Sequence, residues 1–546
     1  MRTLMAVTAM LAGSVSATAA PPPGIDVQRL STMTRTLASD AFEGRAPGTP
    51  GGARTVAYLR AQFEALGLEP GGADGSWTQD VAMLRTKVDM SAPLMVEKPG
   101  DSITLAQGKD VYVSTLRDTA RAQIAGAPLV FVGYGVEASE RSWDDFKGAD
   151  LKGKVLVFLV NDPDFDAAPG DPVADRFGGR AMTYYGRWSY KFEEAVRQGA
   201  VGALVVHETE AAGYGWNTIT SPGGENYDLM GAEGGNGRLA LQGWLSTEAS
   251  ERLFAAAGLD FAALKRRART PDFRPVPFEN MSLSADIPVE VEHIMSKNVL
   301  AKITGTTRPD QTISFAAHWD AYGRDSKTGA IRPGALDDAI GVAGVLEIAR
   351  LFRQAKPPER TVLFAAWTAE ERGLLGSEQF ARSGLYPIDH MVANFTLDVL
   401  QPNGPARDVV LIGKGQSTLE DDLVSAAGEQ GRTVTPDAKP ERGLFYRADH
   451  FSFAKRGVPT LLFMAIGGGV DLVEGGRARS DKWVSNFTAK CYHQPCDTWR
   501  DDWDLRGAAD DIALAYDIGR DLANSEDWPR WKADSEFSNL RPARSD

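Results

Sequence analysis

Five short stretches of this chain place histidines and carboxylates next to apolar runs, and together they have the make-up of a metal site. His318-Trp319-Asp320 follows the run Thr312 to Ala317. A histidine leaving a buried strand can present a ring nitrogen to a cation, and Asp320 is placed to orient that ring. Asp337 and Asp338 open a helix after Gly334-Ala335-Leu336. Either one reads as an N-cap or as a carboxylate bridging two cations. Glu370-Glu371 follows the run ending at Trp367. Adjacent carboxylates repel unless cations or protons intervene, and successive side chains point different ways, so one can bind metal while the other holds water. A solvated acidic turn is the bland reading. Asp398 lies in the apolar stretch Phe395 to Leu400, where it needs a metal or an arginine partner. His493 sits in Tyr492-His493-Gln494-Pro495-Cys496-Asp497, with Asp497 near enough to orient it; a loop histidine of no consequence is the alternative.

Each signal is weak alone. Two histidines and three carboxylates, one of them bridging, suit a pair of zinc ions roughly 3.5–4 Å apart. With so many oxygen ligands, Mn²⁺ is a possible substitute, and Co²⁺ likewise.

The elements that must position these groups follow from the surrounding pattern. From Asn298 onward strands alternate with helices: Thr312 to Ala317 a strand, Ala339 to Phe352 a helix, Thr361 to Trp367 and Phe395 to Leu400 strands. Such alternation predicts an α/β fold with a mostly parallel mixed sheet flanked by helices. Open sheets of this kind carry their sites at strand ends. Upstream, Val56, Leu59, Phe63 and Leu66 fall on one helical face that Gly67 ends. Residues 121–279 read as a separate β-rich unit without a catalytic cluster, dividing a domain of 24–120 and 280–527, and 528–546 as a polar appendage.

Residues 1–20 combine Arg2, an apolar run and Ala17-Thr18-Ala19-Ala20, the pattern of a secretory signal peptide. The expectation is an exported protein, periplasmic or extracellular, with no stable membrane insertion. Cys491 and Cys496 are the only cysteines and flank His493. In an oxidising compartment they form a disulfide; free thiols, or one acting as a metal ligand, are the alternatives. The net charge of −14 argues against nucleic acid as the partner.

The stretches AHWDAYG, GALDDAIG, TAEERGLLGS, FTLDVL and YHQPCDTW resemble the di-zinc aminopeptidase family that includes secreted bacterial leucine aminopeptidases and plasma glutamate carboxypeptidase. Phe42 to Gly51 is similar to that family's FxGRxxGTxG motif, and residues of about 125 to 270 resemble an inserted protease-associated domain. The resemblance implies the zinc exopeptidase fold and two zinc ions per chain. It makes Asp337 the bridge, His318 and Asp398 ligands of opposite metals, and Glu371 and His493 the remaining ligands. It makes Glu370 the general base acting on a metal-activated bridging water. It also implies a peptide bond after Asp337 that is often cis. Tyr446-Arg447-Ala448-Asp449 resembles a segment near the substrate pocket, with Tyr446 a candidate oxyanion donor and Asp449 a candidate substrate contact. The implied activity is removal of N-terminal residues from peptides with a free N-terminus. A carboxypeptidase or dipeptidase on the same fold, or a non-catalytic receptor-like protein, are the competing readings.

Overall fold

The computed structural model describes residues 24–231, 237–325 and 328–541. The leader expected at residues 1–20 lies outside them.

Near-continuous apolar sequence builds the central strands. Arg360–Trp367 and Met391–Leu397 are buried at every residue, as strands covered on both faces must be. They belong to a parallel block in the order Thr460–Phe463, Met391–Leu397, Arg308–His318, Arg360–Trp367. Antiparallel to the last runs Val276–Ile303, whose Val299–Ile303 pairs with Ala366–Val362. Helices Val27–Leu37, Ile340–Gln354 and Arg506–Ala523 pack around this block. Gly519 lets the last helix press onto the sheet, since a Cβ there would meet the Phe315 ring at 2.2 Å. The expected α/β class, with its mostly parallel block flanked by helices, is thus borne out.

The strand Val276–Ile303 is shared by two sheets. Its first half pairs with Arg121–Phe131 and Leu94–Lys98. From Arg121–Phe131 a second parallel run continues through Val155–Leu159, Gly202–Val206 and Leu241–Leu245, with Val111–Ser114 antiparallel beyond it. This second unit has its own core, in which Phe131 meets Phe254 and Phe273 edge to face at 5.2 and 5.8 Å. Its strands begin at Leu94, upstream of residue 121, because Leu94–Lys98 and Val111–Ser114 add to this sheet rather than to the first.

The segment after 527 differs from the appendage expected of it. Phe537 is buried, Trp531 donates its indole N–H to the Gly457 carbonyl at 2.9 Å, and Glu536 meets the Tyr446 hydroxyl. Its aromatic residues anchor an otherwise polar stretch against the first unit. No helix among the described residues is long and apolar enough to cross a membrane.

Candidate metal centre

Parallel strands in register deliver their ends to one place. Ala316 pairs with Thr396, so His318 and Asp398 emerge side by side two residues on. The strand containing Phe395 stops at Leu397, which puts Asp398 just past the end rather than inside, with its N–H donating to the Phe463 carbonyl. His318 Nε2 lies 3.8 Å from Asp398 Oδ1 and 3.1 Å from Asp337 Oδ1. His493 Nε2 lies 3.2 Å from Asp337 Oδ2 and 3.2 Å from Glu371 Oε2. Two clusters therefore share Asp337: His318, Asp337 and Asp398, and Asp337, Glu371 and His493. This corrects one expectation. His318 and Asp398 do not serve opposite clusters, because their neighbouring strands end side by side.

The two acidic neighbours at 370 and 371 diverge as expected of successive side chains. Glu371 joins His493, whereas Glu370 Oε2 stands 4.0 Å from His318 Nε2. The turns that make this geometry use left-handed backbone at non-glycine residues: Ala369 at φ 54°, Val399 at 54° and His493 at 61°. Such residues persist where the surrounding structure fixes them. The Asp337-Asp338 peptide is cis.

Neighbouring residues hold the frame. Asp338 is fully buried and accepts from Gly341 N–H at 3.0 Å and from the N–H groups of His318 and Val399, both at 3.3 Å. It so ties the helix start to two strand ends. Residue 341 must be glycine, since a Cβ would fall 2.3 Å from Asp338 Oδ1. The His318 ring donates from Nδ1 to the Asp320 carbonyl at 3.1 Å, closer than the Asp320 carboxylate at 3.7 Å. That carboxylate instead accepts from Glu370 N–H. Asp497 was expected to orient His493; its carboxylate accepts from Leu336 and Asp337 N–H at 2.9 and 3.1 Å and fixes the bridge's backbone. A disulfide joins Cys491 and Cys496 and closes the loop that carries His493.

Arg45, inside the Gly- and Pro-rich loop, is fully buried. Its guanidinium donates to the carbonyls of Trp319, Leu37, Pro333 and Gly334. It locks together the loops that carry His318 and Asp337. The sequence offered one signal for this role, a lone arginine in a loop of small residues.

Electrostatics follow from burial. Glu370 is pushed well above the usual carboxyl range by burial, with Asp398, Asp449 and Glu371 adding to it against His318. Burial opposes a charged His318 ring, but Glu370, Asp320, Asp337 and Asp398 outweigh it and hold the ring well above its ordinary value. Burial raises Asp449 to about 7, with His318 opposing the rise and Asp320 and Asp398 adding to it. Tyr446 does not reach the site as an oxyanion donor: its hydroxyl donates to Glu536 at 2.5 Å. A cleft of about 2280 Å³ opens over the centre and is lined from both units, by Glu371, Arg447, Tyr492 and His493 from one side and Trp188 and Tyr214 from the other.

A cation pair fits this donor set. Asp337 Oδ2 and Asp398 Oδ1 are buried without a hydrogen-bond partner. Four carboxylates and two imidazoles converge, and such crowding is costly without positive charge. Imidazole and carboxylate ligands of this kind suit zinc.

Comparison with known proteins agrees with the resemblance read from the sequence. Residues 298–517 match the model of Peptidase family M28, which spans all five stretches of the site. The family resemblance is thus borne out over that segment. A "Probable zinc metalloprotease" of Pyrenophora teres f. teres is 36% identical over 113 residues, 20% of this chain and 23% of that protein. "Aminopeptidase NAALADL1" of Mus musculus is 33% identical over 154 residues, 26% of this chain and 18% of that protein. The chain thus spans under a quarter of the length of either relative. Among solved structures, an aminopeptidase from Aneurinibacillus sp. strain AM-1 aligns with a TM-score of 0.49 at 19% identity, covering 95% of this chain and 97% of that one.

Proposed function

We propose that this protein is an exported zinc-dependent exopeptidase that removes N-terminal residues from peptides, with His318, Asp337, Glu371, Asp398 and His493 holding two zinc ions. The observation that carries this reading is Asp337, whose two oxygens face different histidines at 3.1 and 3.2 Å. A carboxylate so placed belongs between two cations. The names of the matched relatives, a zinc metalloprotease and an aminopeptidase, agree with it.

When bound, the zinc pair supplies Lewis acidity that polarises the scissile carbonyl and acidifies water. The rest falls to the chain's own groups. Glu370 borders the His318 cluster without joining His493, and it takes the proton of the attacking water and passes it to the leaving amine. Asp320 holds Glu370 in place through its backbone N–H. Asp338, Asp497 and Arg45 keep the ligand loops from relaxing apart under mutual repulsion of the carboxylates. The second unit, read as a protease-associated domain, lines one side of the cleft with Trp188 and Tyr214.

The test is Glu370→Gln, with zinc content measured beside hydrolysis of an aminoacyl-nitroanilide with and without chelator. A base role predicts unchanged zinc and a fall in kcat of about 10²- to 10⁴-fold. Near-full activity sinks the assignment. Equal hydrolysis of N-acetylated and free peptides sinks the aminopeptidase reading while keeping the hydrolase.

A further inference from the structure

The two candidate ligand histidines are held in different ways. His318 donates from Nδ1 to the Asp320 carbonyl, the kind of bond that usually fixes the ring of a metal-bound histidine. His493 makes no hydrogen bond through Nδ1 among the described residues, and its side chain is 26% exposed where it lines the cleft. Rotation about the bond from Cβ to the ring is soft, and it would carry Nε2 away from Asp337 and Glu371.

What lies against this imidazole is aromatic. The Tyr492 ring is 3.7 Å from it and the Tyr322 ring 4.6 Å, tilted by 30° and 39°. Tyr492 is the chain neighbour and moves with the same loop. Tyr322 comes from the segment that carries His318 and Asp320, so its contact ties one ligand segment to the other. Tyr322 is in turn backed by a cation. The Arg372 guanidinium carbon lies 4.9 Å from the centre of the Tyr322 ring and 4.9 Å from that of Tyr227, within cation–π range of both. Among the described residues that guanidinium has no ion pair or hydrogen bond, so the two rings are what hold it. Burial would lower it, but Tyr227, Tyr322, Glu225 and Glu371 outweigh burial and keep it charged. Arg332 also approaches Tyr322, at 5.8 Å, but it is paired with Asp325. Tyr227 is anchored from behind: its hydroxyl donates to Glu225, which pairs with Arg85, and its strand Glu225–Leu229 runs antiparallel to Thr78–Val88. Arg372 directly follows Glu371, so the stack is also fixed beside a second member of the same cluster.

We infer that Tyr322 and Arg372 are positioning residues for His493, and that their stack does for this ring what the Asp320 carbonyl does for His318. The inference rests on the reading of the centre as a zinc site. It confines the effect to the cluster of Asp337, Glu371 and His493. The sign of one substitution separates the stack from a plain charge effect. Arg372 is a cation beside Glu371, so as a charge it repels zinc and its removal tightens binding. As part of the stack, its removal loosens binding.

The test titrates the zinc-free protein with zinc against a chromophoric chelator, for the wild type, Tyr322→Phe, Tyr322→Leu and Arg372→Met. His318→Ala and His493→Ala assign the two binding steps. Tyr322→Leu should weaken the step lost in His493→Ala by about tenfold to a hundredfold, the range for losing a group that orients a ligand. Arg372→Met should weaken the same step by about threefold to thirtyfold. Tyr322→Phe keeps the ring and should bind as the wild type does. The step lost in His318→Ala should hold in all three. Tighter or unchanged binding in Arg372→Met overturns the inference. So does an equal loss in both steps, or a loss in Tyr322→Phe as large as in Tyr322→Leu. A thermal melt reports folding; should Tyr322→Leu fail to fold, Arg372→Met carries the test by itself. If the wild type takes up no zinc, the reading of the centre is what fails, and nuclear magnetic resonance of the isotope-labelled histidine rings then decides the inference. The chain has six histidines, and His493→Ala and His318→Ala assign the two signals needed. A His493 signal that moves or broadens in Arg372→Met while that of His318 stays upholds the stack. An unmoved His493 signal, or both signals moving together, overturns it.

Discussion

Replacing Arg45 by Met should unlock the metal-ligand loops without touching a ligand. The change removes a fully buried guanidinium and leaves the Trp319, Leu37, Pro333 and Gly334 carbonyls without their donor. Each orphaned buried acceptor costs on the order of 1–3 kcal/mol, and local relaxation recovers part of the sum. The expected loss is about 3–5 kcal/mol, the size seen when one partner of a buried charged network is removed. Denaturant unfolding of the metal-free protein should report it, because bound metal would add its own stabilisation. Competition with a chromophoric chelator should then show weaker zinc binding, since Trp319 and Gly334 adjoin the segments carrying His318 and Asp337. Arg45→Lys keeps the charge but cannot fork to four carbonyls, so it should recover the smaller part of the loss. A loss below about 1 kcal/mol would refute the clamp. Full destabilisation with unchanged zinc affinity would show that Arg45 serves the fold and not the site.

His318→Ala and His493→Ala should each lower zinc content by disrupting different clusters, measured by metal analysis after dialysis; full retention in either removes that residue from the ligand set. Tyr446→Phe should lower stability by about 1 kcal/mol through the lost bond to Glu536 and leave kcat within a few-fold; a hundredfold fall in kcat would restore its oxyanion role. Reducing the Cys491–Cys496 bridge frees a loop of sequence separation 5, worth about 2 kcal/mol on chain-entropy grounds, and should weaken zinc binding if that loop steadies His493. Asp497→Ala should lower metal affinity with the His493 ring still in place, since its carboxylate holds the backbone of residues 336 and 337; an unchanged affinity argues against that support.

The strands and the five candidate ligand positions were legible because apolar runs with abrupt polar ends mark where strands stop. His318, Asp398 and Glu371 all sit where such a run stops. Which cluster each one joins was not legible, because that depends on strand order: Arg308–His318 lies between Met391–Leu397 and Arg360–Trp367, and nothing local to His318 states this. Asp338 and Asp497 act through backbone N–H groups, which carry no sequence signature of their own partner. Tyr446 looked free because its acceptor lies 90 residues on, in a segment whose polar composition hides Phe537 and Trp531. The second unit was read as starting at residue 121, whereas Leu94–Lys98 pairs with residues 282–284 in the half of the shared strand that also pairs with Arg121–Phe131, a long-range pairing that no local pattern states.

The strand Val276–Ile303 changes partners between Pro288, opposite Arg121, and Val289, opposite Val88, without a break in the chain. Two bodies joined by a flexible linker can swing apart; two bodies sharing one backbone ladder can only twist or bend together. Widening the cleft would therefore have to bend or twist this strand where it passes from Pro288 to Val289. The width of the cleft is in this sense a property of covalent continuity, and a truncation that removed the second unit would cut into a strand of the first unit's own sheet.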